Sequence, residues 1–331
     1  MQPVATTPNA SNALKTSKLQ QVGDFFARMP VMYAVVGLAF LCAIMMFLSD
    51  KFLTFANWSN ILRQVSINGI IAVGMTIVIL TGGIDLSVGA VMALSMTCVA
   101  GALLSGIPLP LAILMALIIG VLCGAINGAL VSYFRLPAII VTLAMMEIPR
   151  GIALLYTGGY PLAKLPKDFA FLGQGQVLGI DTPILIMLVV FLAAYLLLNV
   201  YPIGRYLYGI GGNEEAVRLS GIHVRQRKLL AYTLCGLTAA ISGVVLSSRL
   251  MSGQPNAEIG FELDAIAAVV LGGTAITGGR GHIFGTLIGA VTLGVLNNGL
   301  NLMEVSPYTQ RVIKGVIILL AIYASTVKRR D

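Results

Sequence analysis

The chain alternates between apolar runs of about twenty residues and short polar interruptions, and twenty apolar residues is the length a helix needs to cross a bilayer core. Ten such runs are predicted as membrane spans: 31–49, 61–80, 86–105, 109–132, 137–156, 183–200, 229–250, 263–277, 283–302 and 309–327. The boundaries are least defined near 80–86 and 277–283, where glycines interrupt the pattern. The expected fold is an all-α, polytopic transmembrane helical protein of about ten spans, some of them glycine-broken.

One interruption is longer and charged: YPIGRYLYGIGGNEEAVRLSGIHVRQRK, residues 201–228. Its centre carries a full set of helix signals. Asn213 is placed to cap, Glu214 and Glu215 put negative charge in the first turn, Arg218 falls in the last turn, and Gly221 follows as a stop. A short helix over Glu214–Ser220, with Ala216, Val217 and Leu219 as its apolar positions, is predicted between two glycine-rich hinges. So short a helix is marginal in water, so it must be held by the membrane body beneath it or by a partner above it, unless the segment is only a solvated connector.

Two passages break the run of plain helices: LTGGIDLSVGA, residues 80–90, and LGGTAITGGRGHIFGTLIGA, residues 271–290. Placing Thr81-Gly82-Gly83 on Thr277-Gly278-Gly279 also aligns Gly89 with Gly285, as an internal repeat would. These glycines, with Gly272 and Gly273, allow sharp turns or close backbone approach, and interrupted spans at matching places in two halves often mark a transport route.

Polar groups inside apolar spans are costly and are candidates for function. Asp85 precedes the third span with Ser87 two residues on, which reads first as a helix cap. Glu147 and Arg150, three apart, are spaced to neutralise each other on one helix face, with Pro149 between them as an expected kink. Asn68, Asn127, Thr142, Asn297, Asn298 and Asn301 are neutral hydrogen-bonding groups suited to a hydroxylated solute in a translocation path, or equally to holding helices together. Asp264 reads as another cap or an outer-gate contact.

Composition narrows the class. Of the 331 residues 57% are apolar and 10% charged, whereas soluble domains are roughly a quarter charged. The net charge of +8 is dispersed among span termini, which speaks for membrane topology and against nucleic acid. With both termini cytoplasmic, Lys15, Lys18, Arg28, Arg135, Arg205, Arg218, Arg225, Arg227, Lys228, Arg280, Lys328, Arg329 and Arg330 fall inside, thirteen of the 21 basic residues. The longest outer loop is then 156–182, whose Gly and Pro content argues against regular structure. Cys42, Cys98, Cys123 and Cys235 lie in apolar runs without metal or redox spacing. The first run is expected to be a retained helix, with no small-residue cleavage site after it. There is no phosphate-cradling GxxxxGK[ST] sequence, so an ATP-driven process would need its motor from another polypeptide.

The passages AVGMTIVILTGGIDLSVGAVMAL, GGNEEAVRLSGI and ELDAIAAVVLGGTAITGGRGHIFGTLIGA, followed by LNNGLNL, resemble the membrane permease subunits of bacterial ABC sugar importers of the ribose-type branch, over about residues 50–327. The resemblance implies a non-enzymatic permease in the bacterial inner membrane, a homodimer or half of a heterodimer. Its partners would be a cytoplasmic ABC ATPase, which alone uses ATP, and a periplasmic sugar-binding protein, with a monosaccharide as cargo. It also implies that 201–228 carries a coupling helix, Asn213 to Gly221, which docks on the ATPase. The chain then divides into a polar cytoplasmic segment (1–30), a permease domain (31–327) and a cytoplasmic tail (328–331). The rival readings are a branched-chain amino-acid permease of the same superfamily and, further off, an ion-driven secondary transporter.

Overall fold

The computed structural model describes residues 30–257 and 260–327; the N-terminal segment and the C-terminal tail distinguished in the sequence lie outside the described residues, apart from Pro30. The helices are α1 (Pro30–Leu48), α2 (Phe55–Leu80), α3 (Val88–Leu104), α4 (Leu109–Ser132), α5 (Ala138–Thr157), α6 (Thr182–Tyr195, continued by a π turn, Leu196–Val200), α7 (Pro202–Gly212), α8 (Glu214–Leu219), α9 (Val224–Leu250), α10 (Phe261–Leu271), α11 (Ile283–Leu302) and α12 (Pro307–Val327). Six of them are long and apolar enough to cross a membrane by length and composition: α2, α4, α5, α6 with its π turn, α9 and α11. The protein is a polytopic helical protein, as the hydrophobic pattern predicts.

The centre is α2. From Val65 to Leu80 every residue but Asn68 is buried, and α6, α7, α9, α10 and α11 pack around it. Helices in lipid gain little from apolar burial against one another, so close association depends on small residues that let backbones meet. The α4–α9 seam is of this kind. Gly120, Gly124 and Gly128 form an i, i+4 stripe on α4, and a Cβ on Gly124 or Gly128 would come 3.0 Å from Thr233 Cα or 2.8 Å from Leu229 Cα on α9. By contrast α4, α5 and α6 turn large apolar side chains outward, among them Leu122, Ile140, Leu155 and Val189.

The connections sort into two ends. Segments 81–87, 133–137, 201–223 and 272–282 gather at one end around a shared cavity and the glycine turns. At the opposite end Asn57 bonds Asn298, Leu162 bridges Gly253, and Ser248 Oγ donates to Phe169 O.

Three expectations need correction. Segment 156–182 is more ordered than its Gly and Pro content implies: it holds a 3-10 turn (Lys167–Ala170), one helical turn (Phe171–Gln174) and a two-residue hairpin, β1 (Gln176–Val177) with β2 (Ile180–Asp181). Buried Phe169 and Leu165 anchor it, and Leu178 and Gly179 supply the positive φ values that a tight hairpin turn needs. The expected span 263–277 stops at Leu271, because Gly273 turns the chain with φ +86° and leaves 272–282 irregular. The glycine-rich stretch before Asn213 is not a hinge but the end of α7, which starts with Pro202 and is held by buried Leu207 and Ile210.

Candidate functional site

The centre of the charged insertion folds as its signals specify. Asn213 is extended and its side-chain oxygen accepts from Ala216 N at 3.0 Å, satisfying one of the free donors of α8. Arg218 pairs with Glu215 three residues earlier, and Lys228 of α9 with Glu214. The hydrogen bond from Arg218 is the largest influence on the Glu215 carboxyl and holds it below the usual carboxylate range. The helix ends at Leu219 with Ser220 as its C-cap, one residue short of the predicted stretch, and Gly221 follows in the left-handed region at φ +81°. None of its residues is buried, and Leu219 is 74% exposed. Val217 alone turns partly inward, against Gly209 of α7.

The two glycine-broken passages have like geometry. Each follows a helix, turns through a left-handed glycine (Gly82 at φ +81°, Gly278 at +86°) and leads into another helix, α3 or α11. Gly279 is also left-handed, whereas its counterpart Gly83 is not and lies against the Tyr232 hydroxyl. Gly272 and Gly285 meet each other, each leaving no room for a side chain on the other, and Gly89 is buried in α3. Across the pair, the hydroxyls of Thr76 on α2 and Thr286 on α11 lie 2.8 Å apart.

The polar candidates do not line one path; they fall into separate groups. Asp85, Ser87 and Asn127 form a buried cluster: Asp85 Oδ1 accepts from Ser87 N at 2.9 Å and Ser87 Oγ at 2.6 Å, and Asn127 Nδ2 donates to Ser87 Oγ at 2.8 Å. Ser87, not Asp85, occupies the N-cap position of α3, so Asp85 acts from two residues earlier by holding the cap residue's N–H. Thr142 Oγ1 donates to Ala138 O within its own helix. Glu147 and Arg150 pair at 3.3 Å on a face of α5 where the Glu147 side chain is 65% exposed, and α5 continues as one helix through Pro149.

At the opposite end Asn298 and Asn57 exchange amide hydrogen bonds at 2.8 and 3.0 Å, and Asn301 Oδ1 accepts from Gln310. The side-chain oxygens of Asn68 and Asn297 are buried without a protein donor. Asp264 neither caps nor stands free: Gly260 is the N-cap of α10, and Asp264 pairs with Lys314 of α12 at 3.1 Å. Sequence reasoning missed Asp181, buried at the start of α6 with Arg63 at 3.3 Å and the Ser59 hydroxyl at 2.6 Å. Burial alone would raise its pKa, but hydrogen bonds from Ser59 and Gln176 and the Arg63 charge outweigh this and lower it.

Between α8, the α4–α5 turn and the start of α9 lies a cavity of about 960 Å³, lined by Gly82, Gly83, Arg135, Glu214, Arg225 and Tyr232 among others. It sits at the same end as both glycine turns. The described residues contain no group of three or more His, Cys, Asp or Glu able to hold a metal ion.

A family described as the permease component of branched-chain amino acid transport systems matches residues 57–322. Among curated proteins, the chain is 48% identical to the ribose import permease protein RbsC of Escherichia coli (strain K12) over 300 residues, 89% of this chain and 94% of the relative. It is 49% identical to RbsC of Bacillus subtilis (strain 168) over 289 residues, 87% and 90% of the two chains. It is 37% identical to the xylose transport system permease protein XylH of Escherichia coli (strain K12) over 364 residues, 89% and 92%. No solved structure matches the chain.

Proposed function

The chain belongs to this family of transport-system permease components, and on that premise we infer that it is the membrane-spanning permease subunit of an ATP-binding-cassette sugar importer. The observation that carries this reading is the near-half identity to ribose import permeases over almost the whole of both chains. The family description names branched-chain amino acids, but these relatives, and the xylose permease beyond them, are sugar permeases, which removes the amino-acid alternative. An ion-driven mechanism is disfavoured because Glu147 is spent on Arg150 at an exposed helix face and buried Asp85 is spent on Ser87 at the start of α3.

The protein is a multi-pass membrane protein. The finer reading places it in a bacterial inner membrane with both termini cytoplasmic, 1–30 and 328–331 as flanking segments and 31–327 as the permease domain. It works there as a dimer, most simply of two identical chains. It carries no catalytic or cofactor site of its own: a cytoplasmic ATPase docks on Asn213–Gly221, and a periplasmic binding protein delivers a monosaccharide, ribose or a similar sugar. Exposure of α8, its capped ends and Leu219 standing clear of the surface support the docking role. The solute passes between two separate polar groups, Asp85, Ser87 and Asn127 near the α8 end and Asn68, Asn297, Asn298 and Asn301 toward the other; the buried, unpartnered oxygens of Asn68 and Asn297 support this.

Transport follows alternating access, with ATPase closure drawing on α8 and the glycine-broken passages allowing the permease to rock. Reconstitution in liposomes tests the whole reading. Ribose uptake is expected only with the ATPase, the binding protein and ATP present; uptake driven by a proton or sodium gradient without the ATPase would overturn it.

A further inference from the structure

Three stretches far apart in sequence meet backbone to backbone at the C-terminal end of α7. A Cβ on Gly211 would overlap both Leu80 O, at the end of α2, and Gly279 N. A Cβ on Gly278 would stand 2.7 Å from Gly82 N and 3.0 Å from Gly211 Cα. The contact is hydrogen-bonded, with Gly279 N donating to Leu80 O at 3.0 Å. One turn back on α7, the Tyr208 hydroxyl donates to Gly281 O at 2.9 Å. So the end of α7 abuts the turn that opens α3 and the turn that opens α11 at a single point.

That point lies beside the candidate docking helix. Asn213, the cap of α8, follows α7 directly, and Val217 Cγ2 would stand 3.0 Å from a Cβ on Gly209. Side-chain contacts yield by changing rotamer, whereas backbone pressed on backbone passes displacement on, as close-packed interiors do. Gly211 has no positive φ, and alanine is the better helix former, so local conformation does not require glycine there. What requires glycine is the approach of the two turns.

We propose that the contact of Gly211 with Leu80, Gly278 and Gly279, with Gly82 seated against Gly278, is the junction that delivers movement of α8 to both glycine-broken passages at once, making Gly211 and Tyr208 positioning residues for transport. This rests on the assignment of the chain as an ATP-driven permease. The two passages then act together because one element bears on both: one runs into the Asp85–Ser87–Asn127 cluster, the other into the Gly272–Gly285 contact and α11.

The test uses the full chain reconstituted with its ATPase and binding protein, reading ribose taken up per ATP hydrolysed together with co-purification of the complex. Gly211→Ala is expected to lower that ratio by about 2- to 30-fold, with complex recovery and basal ATP hydrolysis unchanged. Tyr208→Phe removes the hydroxyl tie without adding bulk and is expected to lower the ratio toward the small end of that range. Gly212→Ala, whose Cβ would meet nothing within 4 Å, is the matched control and keeps the normal ratio. A normal ratio in Gly211→Ala, an equal loss in Gly212→Ala, or loss of the complex itself in Gly211→Ala overturns the junction. If Gly211→Ala does not insert, Tyr208→Phe decides: a lowered ratio with an intact complex supports the junction and an unchanged ratio overturns it. Uptake by the unmodified protein that needs no ATP would instead sink the transporter assignment on which the junction depends.

Discussion

Glu215 lies in the first turn of α8 and Gly221 just past its C-cap, and each does its work by charge or by backbone conformation, with no side-chain burial involved. The Glu215 carboxyl is depressed in the folded protein, chiefly by the Arg218 hydrogen bond, so its contribution is present above the unfolded carboxyl value of about 4.3 and is lost as pH falls through the lower folded value. Protection of the α8 amides from exchange, corrected for intrinsic rates, is therefore expected to stay level between about pH 5 and 8 and to fall only in stronger acid. Glu215→Lys sets a cation near the positive end of the helix and one turn from Arg218. Gly221→Val forces a β-branched residue into the left-handed region, at about 1–2 kcal/mol. Both variants are expected to insert and fold, since neither residue is buried, but to lose co-purification with the ATPase and to lose uptake. Normal complex formation and transport in both would make α8 a connector and nothing more.

Between helices the sharpest prediction concerns the α4–α9 seam. Gly124→Val is expected to push α9 away at Thr233 and lower the thermal midpoint in detergent, in line with an overpacking cost of about 1–3 kcal/mol, whereas Gly151→Ala, which faces open space on α5, is expected to leave the midpoint unchanged. This seam is present in the sequence as Gly120, Gly124 and Gly128, three glycines four apart, a spacing that signals close helix approach. Most helices were legible because twenty apolar residues in a row have few other uses, and α8 because its cap, first-turn acids and stop glycine agree. α7 was not, because four glycines in eleven residues read as loop; burial of Leu207 and Ile210 overrides that propensity. The end of α10 was misplaced because apolar residues continue past Gly272 and hydrophobicity does not record a turn. For the polar candidates, sequence named the groups but not their neighbours. Asn127 reaches Ser87 from another helix, and Asp264 finds Lys314 fifty positions away, pairings that only tertiary packing creates.

Across the whole molecule, the two ends carry opposite assignments. Lys167 and Arg225 are both exposed, one in the 156–182 segment and the other at the start of α9 near the α8 cavity. Single cysteines at these positions are expected to differ in intact spheroplasts, with the impermeant reagent reaching 167 and not 225; the reverse pattern would invert the topology. Of the native thiols, Cys123 and Cys235 are buried and Cys42 and Cys98 half-buried, so the native cysteines are first replaced, chiefly to remove the latter two. The end that holds Asn57 and Asn298 offers a second view that needs no label. The chain has one tryptophan, Trp58, next to Asn57 and edge-on to Phe52 with ring centres 5.7 Å apart. Its fluorescence therefore comes from a single known corner, where α2 meets α11, and a change in emission colour or iodide quenching during turnover would time the parting of that corner in the unmodified protein.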